Sequence, residues 1–255
     1  MCSAFFEFLQ EQALGTRANT SASRSSLSRS YLWLLVVAAS LGVASLEPKA
    51  FAASPGLACV ADTYCSTIEP LDEPTKAAML GVVWRKGCPV GLEDLRRITF
   101  RHWSFDGTTA AGSVVVNVEV SVGIEGVLKE LFEARFPIAS AKPIEAFGGD
   151  DDRSTMANNS SAFNCRAVTG GRSFSEHAWG RAVDINPVQN PYVRANGTVL
   201  DPKAKRFVKR SALRESGGAI TSNGVVVKAF KRIGWTWGGT YGRVKDYQHF
   251  SSTGR

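Results

Sequence analysis

Two short clusters, far apart in the chain, contain two of its three histidines, and each of these histidines has an aspartate nearby. The first cluster contains His177 and Asp184, and the second contains Asp246 and His249. Catalytic zinc sites usually use three protein ligands and leave a fourth position open for water. We therefore hypothesise that His177, Asp184 and His249 hold one metal ion and that Asp246 transfers protons beside it. This hypothesis requires a fold that brings the two clusters together.

The residues between the first histidine and its aspartate favour a hairpin over a helix. A separation of two helical turns could place His177 and Asp184 on one helix face. However, Gly180 lies between them and Pro187 follows closely, and both residue types disfavour a helix interior. We therefore expect a hairpin whose second strand covers residues 182–185.

The second cluster predicts a turn followed by a strand. Residues three apart on a regular strand face opposite sides, so we expect Asp246 in a turn or twisted strand start and His249 on the strand. Ser175 and Asn186 are expected to anchor the first cluster by hydrogen bonds. From spacing alone, a second interpretation stays open, because a histidine near an aspartate is often a satisfied core or surface residue.

The rest of the chain predicts an α+β fold, because short strands alternate with only two or three helices. Residues 53–80 have little periodicity and are interpreted as a loop-rich lead-in to a domain over residues 81–255. Within that domain we expect helices at 89–98, 124–136 and 225–233, strands at 99–105, 114–120 and 162–168, an extended segment at 138–147, a polar acidic loop at 148–159 and a strand and turn at 234–239.

Residues 1–52 are interpreted as a signal peptide or an N-terminal membrane anchor. Residues 31–46 carry no charge, but this stretch is shorter than the roughly 20 apolar residues that a membrane span needs. The small residues Ala50 and Ala52 fit a cleavage site after Ala52. The segment before residue 31 is unusually long for a signal peptide. An uncleaved anchor, or a start codon placed too early, is therefore an alternative. In each case we expect the remaining chain to be exported.

The cysteines fit an exported protein. Of five cysteines, four remain if the N-terminal segment is removed, and none forms a CxxC pair. An even number in an exported chain indicates two disulfides. We predict Cys59–Cys65 and Cys88–Cys165, because the first two are close in sequence, while buried free thiols stay an alternative.

The formal net charge of +7 favours anionic surroundings such as a cell wall, acidic lipid or nucleic acid. The basic residues are scattered apart from the cluster at residues 203–210, which is interpreted as a solvated face. Nucleic-acid binding is not predicted, because no pattern of basic and aromatic residues supports it.

The two clusters resemble a known family. The pattern SxHxxGxAxDIN at residues 175–186, followed by DxxHF at 246–250, is similar to the D-alanyl-D-alanine carboxypeptidase family of zinc peptidases. That family includes D,D-dipeptidases and phage endolysins that cut the L-alanyl-D-glutamate bond. Further segments resemble the endolysin-like branch, namely residues 87–90, 94–96, 105–107, 158–166 and 235–239. The resemblance covers about residues 80–251 and leaves out Cys59 and Cys65.

The resemblance implies roles for particular residues. His177, Asp184 and His249 match the family's zinc ligands, with one zinc ion per chain, and Asp246 matches its general base. Arg166 matches an arginine that stabilises the substrate carbonyl or its oxyanion. Ser175 resembles a serine that contacts substrate. The fold implied is a small α+β domain with a central antiparallel sheet flanked by helices, as in Hedgehog domains and D,D-peptidases.

The function implied is a secreted zinc metallopeptidase, predicted to be monomeric, that hydrolyses peptide bonds in peptidoglycan stem peptides. Its location would be extracellular, periplasmic or cell-wall associated, and it would contact a membrane only if its N-terminal segment were uncleaved. Both D,D-carboxypeptidase and L-Ala-D-Glu endopeptidase activity fit, because they share the same metal chemistry. The alternative is a non-catalytic zinc-containing module that binds cell wall or signals as Hedgehog domains do.

Overall fold

The computed structural model describes residues 59, 60 and 62–254, and within them it has four α-helices and eight strands. In chain order these are β1 (Ser66–Pro70), α1 (Glu73–Met79), β2 (Leu95–Trp103), β3 (Thr109–Asn117), α2 (Val118–Glu133), α3 (Asp151–Met156), β4 (Ala182–Asp184), β5 (Tyr192–Val193), α4 (Val225–Arg232), β6 (Thr236–Trp237), β7 (Lys245–Asp246) and β8 (His249–Ser251). The predicted signal peptide or anchor at residues 1–52 lies outside the described residues.

The first sheet has the antiparallel order β1-β2-β3. Its longest hairpin joins β2 to β3 through a turn in which the Asp106 carboxylate accepts hydrogen bonds from the backbone and hydroxyl of Thr108. The strand predicted at 114–120 ends at Asn117, because the Asn117 side chain accepts from the backbone N–H of Glu119 and begins α2 there.

The helix predicted at 124–136 is confirmed as α2, although it begins earlier, at Val118. Its buried face consists of residues at three- and four-residue intervals, as an amphipathic helix requires. These are Ser121, Ile124, Val127, Leu128, Leu131 and Phe132. The helix predicted at 225–233 is likewise confirmed as α4.

Five segments differ from the expectations, and one of them is the segment expected to be extended at 138–147, which ends in a 3-10 turn at Ile144–Phe147. The lead-in predicted to be loop-rich contains β1 and α1, and β1 pairs along its whole length with β2. The helix predicted at 89–98 is wrong, since a 3-10 turn at Leu92–Asp94 leads directly into β2, where pairing with two neighbouring strands overrides local helix preference. The acidic loop at 148–159 contains α3, because the Asp150 carboxylate accepts from the backbone N–H of Arg153 and starts a helix.

The fifth difference is the strand predicted at 162–168, which does not form. The backbone N–H groups of Phe163, Cys165 and Asn164 donate to three separate segments, at Val115, Val83 and His177 respectively. A strand needs successive bonds to one neighbour. This segment therefore links the first sheet to the residues around His177 by hydrogen bonds.

The second sheet has the antiparallel order β4-β8-β6 and carries both predicted clusters. Its register places Asp184 of β4 directly opposite His249 of β8. Next to this pair, the Phe250 ring stacks on Phe230 of α4 with centroids 4.0 Å apart, and both rings are fully buried. The core thus fixes the strand that presents His249. The α+β fold with antiparallel sheets and flanking helices is confirmed, with the described strands divided among small sheets.

Both predicted disulfides, Cys59–Cys65 and Cys88–Cys165, are confirmed. The second links the loop before β2 to the residue that precedes Arg166. Among the described residues, no helix has both the length and the apolar character that crossing a membrane would require.

Candidate metal centre

A single 3-10 turn presents His177. The turn covers Glu176–Trp179, and the Ser175 hydroxyl begins it by accepting from the backbone N–H of His177 at 3.3 Å. Gly180 ends it with φ of +66°, and a Cβ at this position would lie 2.6 Å from the backbone nitrogen of Asn117. Only glycine fits this close approach. The predicted hairpin is therefore wrong in its first arm, which is a turn, and right in its second, which is β4.

The structure brings the three predicted metal ligands together. The Nε2 atom of His177 lies 3.2 Å from Nδ1 of His249 and 3.3 Å from Oδ2 of Asp184. Nδ1 of His249 lies 3.0 Å from Oδ1 of Asp184. Bonds of 2.0–2.1 Å at tetrahedral angles place neighbouring zinc ligands about 3.3 Å apart. Two imidazole nitrogens and one carboxylate, all buried and at these separations, fit a zinc ion.

Surrounding groups fix the orientation of these side chains. Nδ1 of His177 donates to the backbone carbonyl of Ala162 at 2.5 Å, so that the Nε2 lone pair faces the other two ligands. Nε2 of Gln248 donates to Oδ2 of Asp184 at 3.2 Å. Burial alone would raise the pKa of Asp184, but the charges and hydrogen bonds of His177 and His249 outweigh it and hold that pKa far below its usual range. The Asp184 carboxylate is therefore ionised, as a metal ligand must be.

Asp246 lies half-buried beside this group on β7, where a turn or twisted strand start is expected. β7 pairs with β5, which places Asp246 opposite Tyr192. Its Oδ1 atom has no hydrogen-bond partner among the described residues. Burial is the main cause that raises the pKa of Asp246 to about 7, and the negative charge of Asp184 acts in the same direction, against opposing effects of His249, His177 and Arg166. A carboxyl group tuned in this way suits proton transfer near neutral pH.

A close backbone approach holds Asp246 in place. A Cβ on Gly238 would lie 2.6 Å from the backbone oxygen of Asp246 and 2.8 Å from its Cβ. On the other side, Nε1 of Trp237 donates to the carbonyl of Tyr247 at 2.8 Å. The Trp-Gly segment that resembles the endolysin-like branch therefore supports the chain around Asp246.

We expect Gly238→Ala to lower kcat by about 100-fold, because the added methyl group displaces Asp246 and a shift of about 1 Å costs this much. Bound metal should stay unchanged, because none of the three proposed ligands moves. Gly242→Ala is the matched control, since a Cβ there meets no atom within 4 Å. Steady-state kinetics and metal analysis of both variants check this, and equal kcat values in the two variants would refute the role of Gly238.

Arg166 lies in the same cleft as the three ligands and Asp246, and the cleft has a volume of about 230 Å³. Its Nη2 atom pairs with Asp151 at 2.9 Å, and its Nη1 atom donates to the carbonyl of Ala167 at 3.2 Å. Ser175 also lines the cleft, although its hydroxyl oxygen already accepts the bond that caps the His177 turn. All six predicted site residues are thus brought to one cleft.

Sequence reasoning missed three carboxylates that line this cleft, namely Asp151, Asp152 and Asp201. Asp151 belongs to the polar acidic loop expected at 148–159, yet it pairs with Arg166. Asp201 is buried, and its Oδ1 atom accepts from the backbone N–H of Lys203 while Oδ2 has no partner among the described residues. The dipeptide Asp201-Pro202 is a helix-start signal that could have indicated an ordered Asp201.

The basic residues of the predicted solvated cluster at 203–210 are exposed except for Arg210, which is half-buried. Its guanidinium donates to the carbonyl of Gln189 at 2.7 Å and to the side chain of Asn190 at 2.9 Å. It also lies 4.4 Å from the ring centroid of Tyr247. Arg210 therefore links the long irregular segment between β4 and α4 to Tyr247, the residue that follows Asp246.

Comparisons with known proteins agree with this geometry. Residues 169–252 match the model of a family described as D-alanyl-D-alanine carboxypeptidase. The match includes His177, Asp184, Asp246 and His249, and Arg166 lies just before it. The resemblance to this family of zinc peptidases is confirmed over that segment, and the match supports a peptidase. No curated protein and no solved structure matches the chain.

Proposed function

We propose that the chain beyond residue 52 is a secreted zinc metallopeptidase that hydrolyses peptide bonds in peptidoglycan stem peptides. The observation that carries this proposal is the arrangement of His177, Asp184 and His249, whose buried donor atoms lie 3.0–3.3 Å apart in the cleft that Asp246 also lines. The family match over residues 169–252 supports the same reaction class. The net charge of +7 suits an anionic wall.

Each residue of the site has a chemical task in this proposal. His177, Asp184 and His249 would hold one zinc ion per chain, and the bound ion would supply a Lewis acid for the substrate carbonyl and for a water molecule. Asp246 accepts a proton from the attacking water and donates it to the leaving amine. The Arg166 guanidinium offers a fixed positive charge for the developing oxyanion. Ser175 stays a proposed substrate contact on the cleft wall.

The proposal predicts a rate that rises with pH through the acid range. Asp246 must be ionised to accept a proton, and burial raises its pKa to about 7 before any effect of a bound cation. A cation nearby favours the ionised carboxylate and lowers that pKa. We therefore expect kcat/KM to increase with pH with a midpoint at or below about 7. Rates measured between about pH 4.5 and 8 check this, and a rate that falls over the acid half of that range would contradict it.

The experiment that tests the proposal is digestion of purified muropeptides, with and without a chelator, followed by mass spectrometry. A product that forms only without chelator, and that reappears when zinc is restored, is the expected result. Its mass identifies the bond, because loss of a terminal D-alanine indicates carboxypeptidase activity and cleavage after L-alanine indicates endopeptidase activity. If no muropeptide is cleaved while zinc still binds, the chain is a non-catalytic zinc-containing module instead.

Export, the monomeric state and the absence of nucleic-acid binding are part of the same proposal. Two disulfides within the described residues support export, because such bonds persist in oxidising compartments.

A further inference from the structure

Asp151 forms an ion pair with Arg166 at the edge of the cleft. Oδ2 of Asp151 lies 2.9 Å from Nη2 of Arg166, and both side chains are more than half buried. The other carboxylate oxygen, Oδ1, accepts from the side-chain amide of Asn164 at 3.4 Å. Asp151 lies in the first turn of α3, so these contacts attach α3 to the segment that carries Arg166.

The remaining contacts of Arg166 do not fix its direction. Nη1 donates to the carbonyl of Ala167, the next residue in the chain. Nε is buried and has no partner among the described residues. Asp151, on α3, therefore provides Arg166 with an ion-pair contact from a different segment of the chain. A long arginine side chain needs such a contact to hold one orientation, because its free rotamers are numerous.

We propose that Asp151 is a positioning residue for Arg166 and holds the guanidinium in the cleft that contains His177, Asp184 and His249. The pair leaves N–H groups of the guanidinium available for a substrate oxygen, because Asp151 engages only Nη2. This inference rests on the proposed function, in which Arg166 stabilises the oxyanion. Asp151 acts through Arg166 and is not itself required to touch the substrate.

The neighbouring Asp150 provides a matched control. Its carboxylate accepts from the backbone N–H of Arg153 and caps α3, and asparagine caps helices equally well. Asp150→Asn therefore removes one negative charge next to Asp151 while keeping the helix start.

We expect Asp151→Asn to lower kcat by about tenfold and to change KM by less than about twofold, because a misdirected guanidinium weakens stabilisation of the oxyanion only. Asp150→Asn should leave both constants unchanged. Unfolding temperature and zinc content should also stay nearly the same, since a single ion pair that is still partly open to solvent adds little stability.

The deciding measurement repeats Asp151→Asn in an Arg166→Ala background. If Asp151 acts through Arg166, the second substitution has no further effect on kcat. A tenfold loss in both backgrounds, or an unchanged or raised kcat in the single variant, would overturn the inference. Failure of the proposed function is a separate result, namely a wild-type protein that cleaves no muropeptide.

A spectroscopic readout serves if no cleavage is found. The Nε–H resonance of Arg166 in a ¹⁵N-labelled protein reports on whether the guanidinium is held. We expect Asp151→Asn to shift this resonance and to speed its exchange with water, while Asp150→Asn leaves it unchanged. An identical resonance in wild type and Asp151→Asn would reject the positioning role.

Discussion

Replacing Asp246 by asparagine is expected to lower kcat by about 10²–10⁴-fold, the range that a general base contributes. Asparagine keeps the shape of the side chain but cannot accept the proton of the attacking water. Zinc content should stay at one ion per chain, because Asp246 is not among the proposed ligands. Metal analysis and steady-state hydrolysis of muropeptides check both parts. Asp106→Asn is a suitable control, since Asp106 lies in an exposed turn where asparagine makes the same hydrogen bonds.

The Asp246→Asn substitution should lower activity but raise the stability of the zinc-free protein at alkaline pH. Burial raises the pKa of Asp246 to about 7, so the folded state binds a proton more readily than the unfolded state. The resulting stability is present below about pH 4 and is lost as the pH rises through about 7. At pH 8 the zinc-free Asp246→Asn protein should therefore melt at a higher temperature than the zinc-free wild type. A lower melting temperature, together with retained hydrolysis, would remove Asp246 from its proposed role.

Replacing His177 by alanine is expected to abolish the stabilisation that zinc gives to the wild-type protein. At zinc concentrations about 1,000 times the dissociation constant, binding adds about 4 kcal/mol to the free energy of unfolding. For a domain of this size that raises the melting temperature by about 8–16 °C. His177→Ala loses one of three buried donors, so its melting temperature should not respond to zinc.

This measurement compares each protein with its own zinc-free form, so any direct effect of the substitution on the fold cancels. Magnesium is the matched control ion, because it prefers oxygen ligands and octahedral geometry. We expect no rise with magnesium in either protein. A zinc-dependent rise of equal size in His177→Ala and wild type would show that the metal binds elsewhere.

Much of the site could be predicted because its chemistry restricts residue type. A histidine and an aspartate in each cluster, few histidines overall, and a family pattern together identified His177, Asp184, Asp246 and His249. The sequence pattern does not contain the strand pairing. The structure shows it, because the antiparallel register places Asp184 opposite His249. Register depends on which strands meet, and these two strands are three residues each.

The errors in the fold prediction have a common physical cause. Residues 89–98 have a helix-like spacing of apolar side chains, but β2 forms there because strands on both sides supply its hydrogen bonds. Residues 162–168 look like a strand, yet their backbone groups bond to several distant segments. In both cases tertiary contacts decide the local structure, and a local pattern contains no information about them.

The roles of Asp151 and Gly238 were hidden for the same reason. Asp151 is one of three consecutive aspartates, and only the fold shows that it faces Arg166 while Asp150 caps α3. In the sequence, Gly238 is only a glycine in a turn-like segment. The fold shows that the backbone of Asp246 passes directly beside it. Positioning residues of this kind depend on contacts between distant segments, whereas metal ligands are also restricted by their chemistry.

The central claim is that one metal ion, held by His177, Asp184 and His249, is required for hydrolysis. Zinc titration of the metal-free protein, with muropeptide cleavage measured at each step, tests it most directly. We predict no cleavage without metal, a linear rise in rate, and a plateau at one zinc ion per chain, with no rise in the His177→Ala variant. Full cleavage by the metal-free protein, or a zinc-dependent rise of the same size in His177→Ala, would contradict the claim.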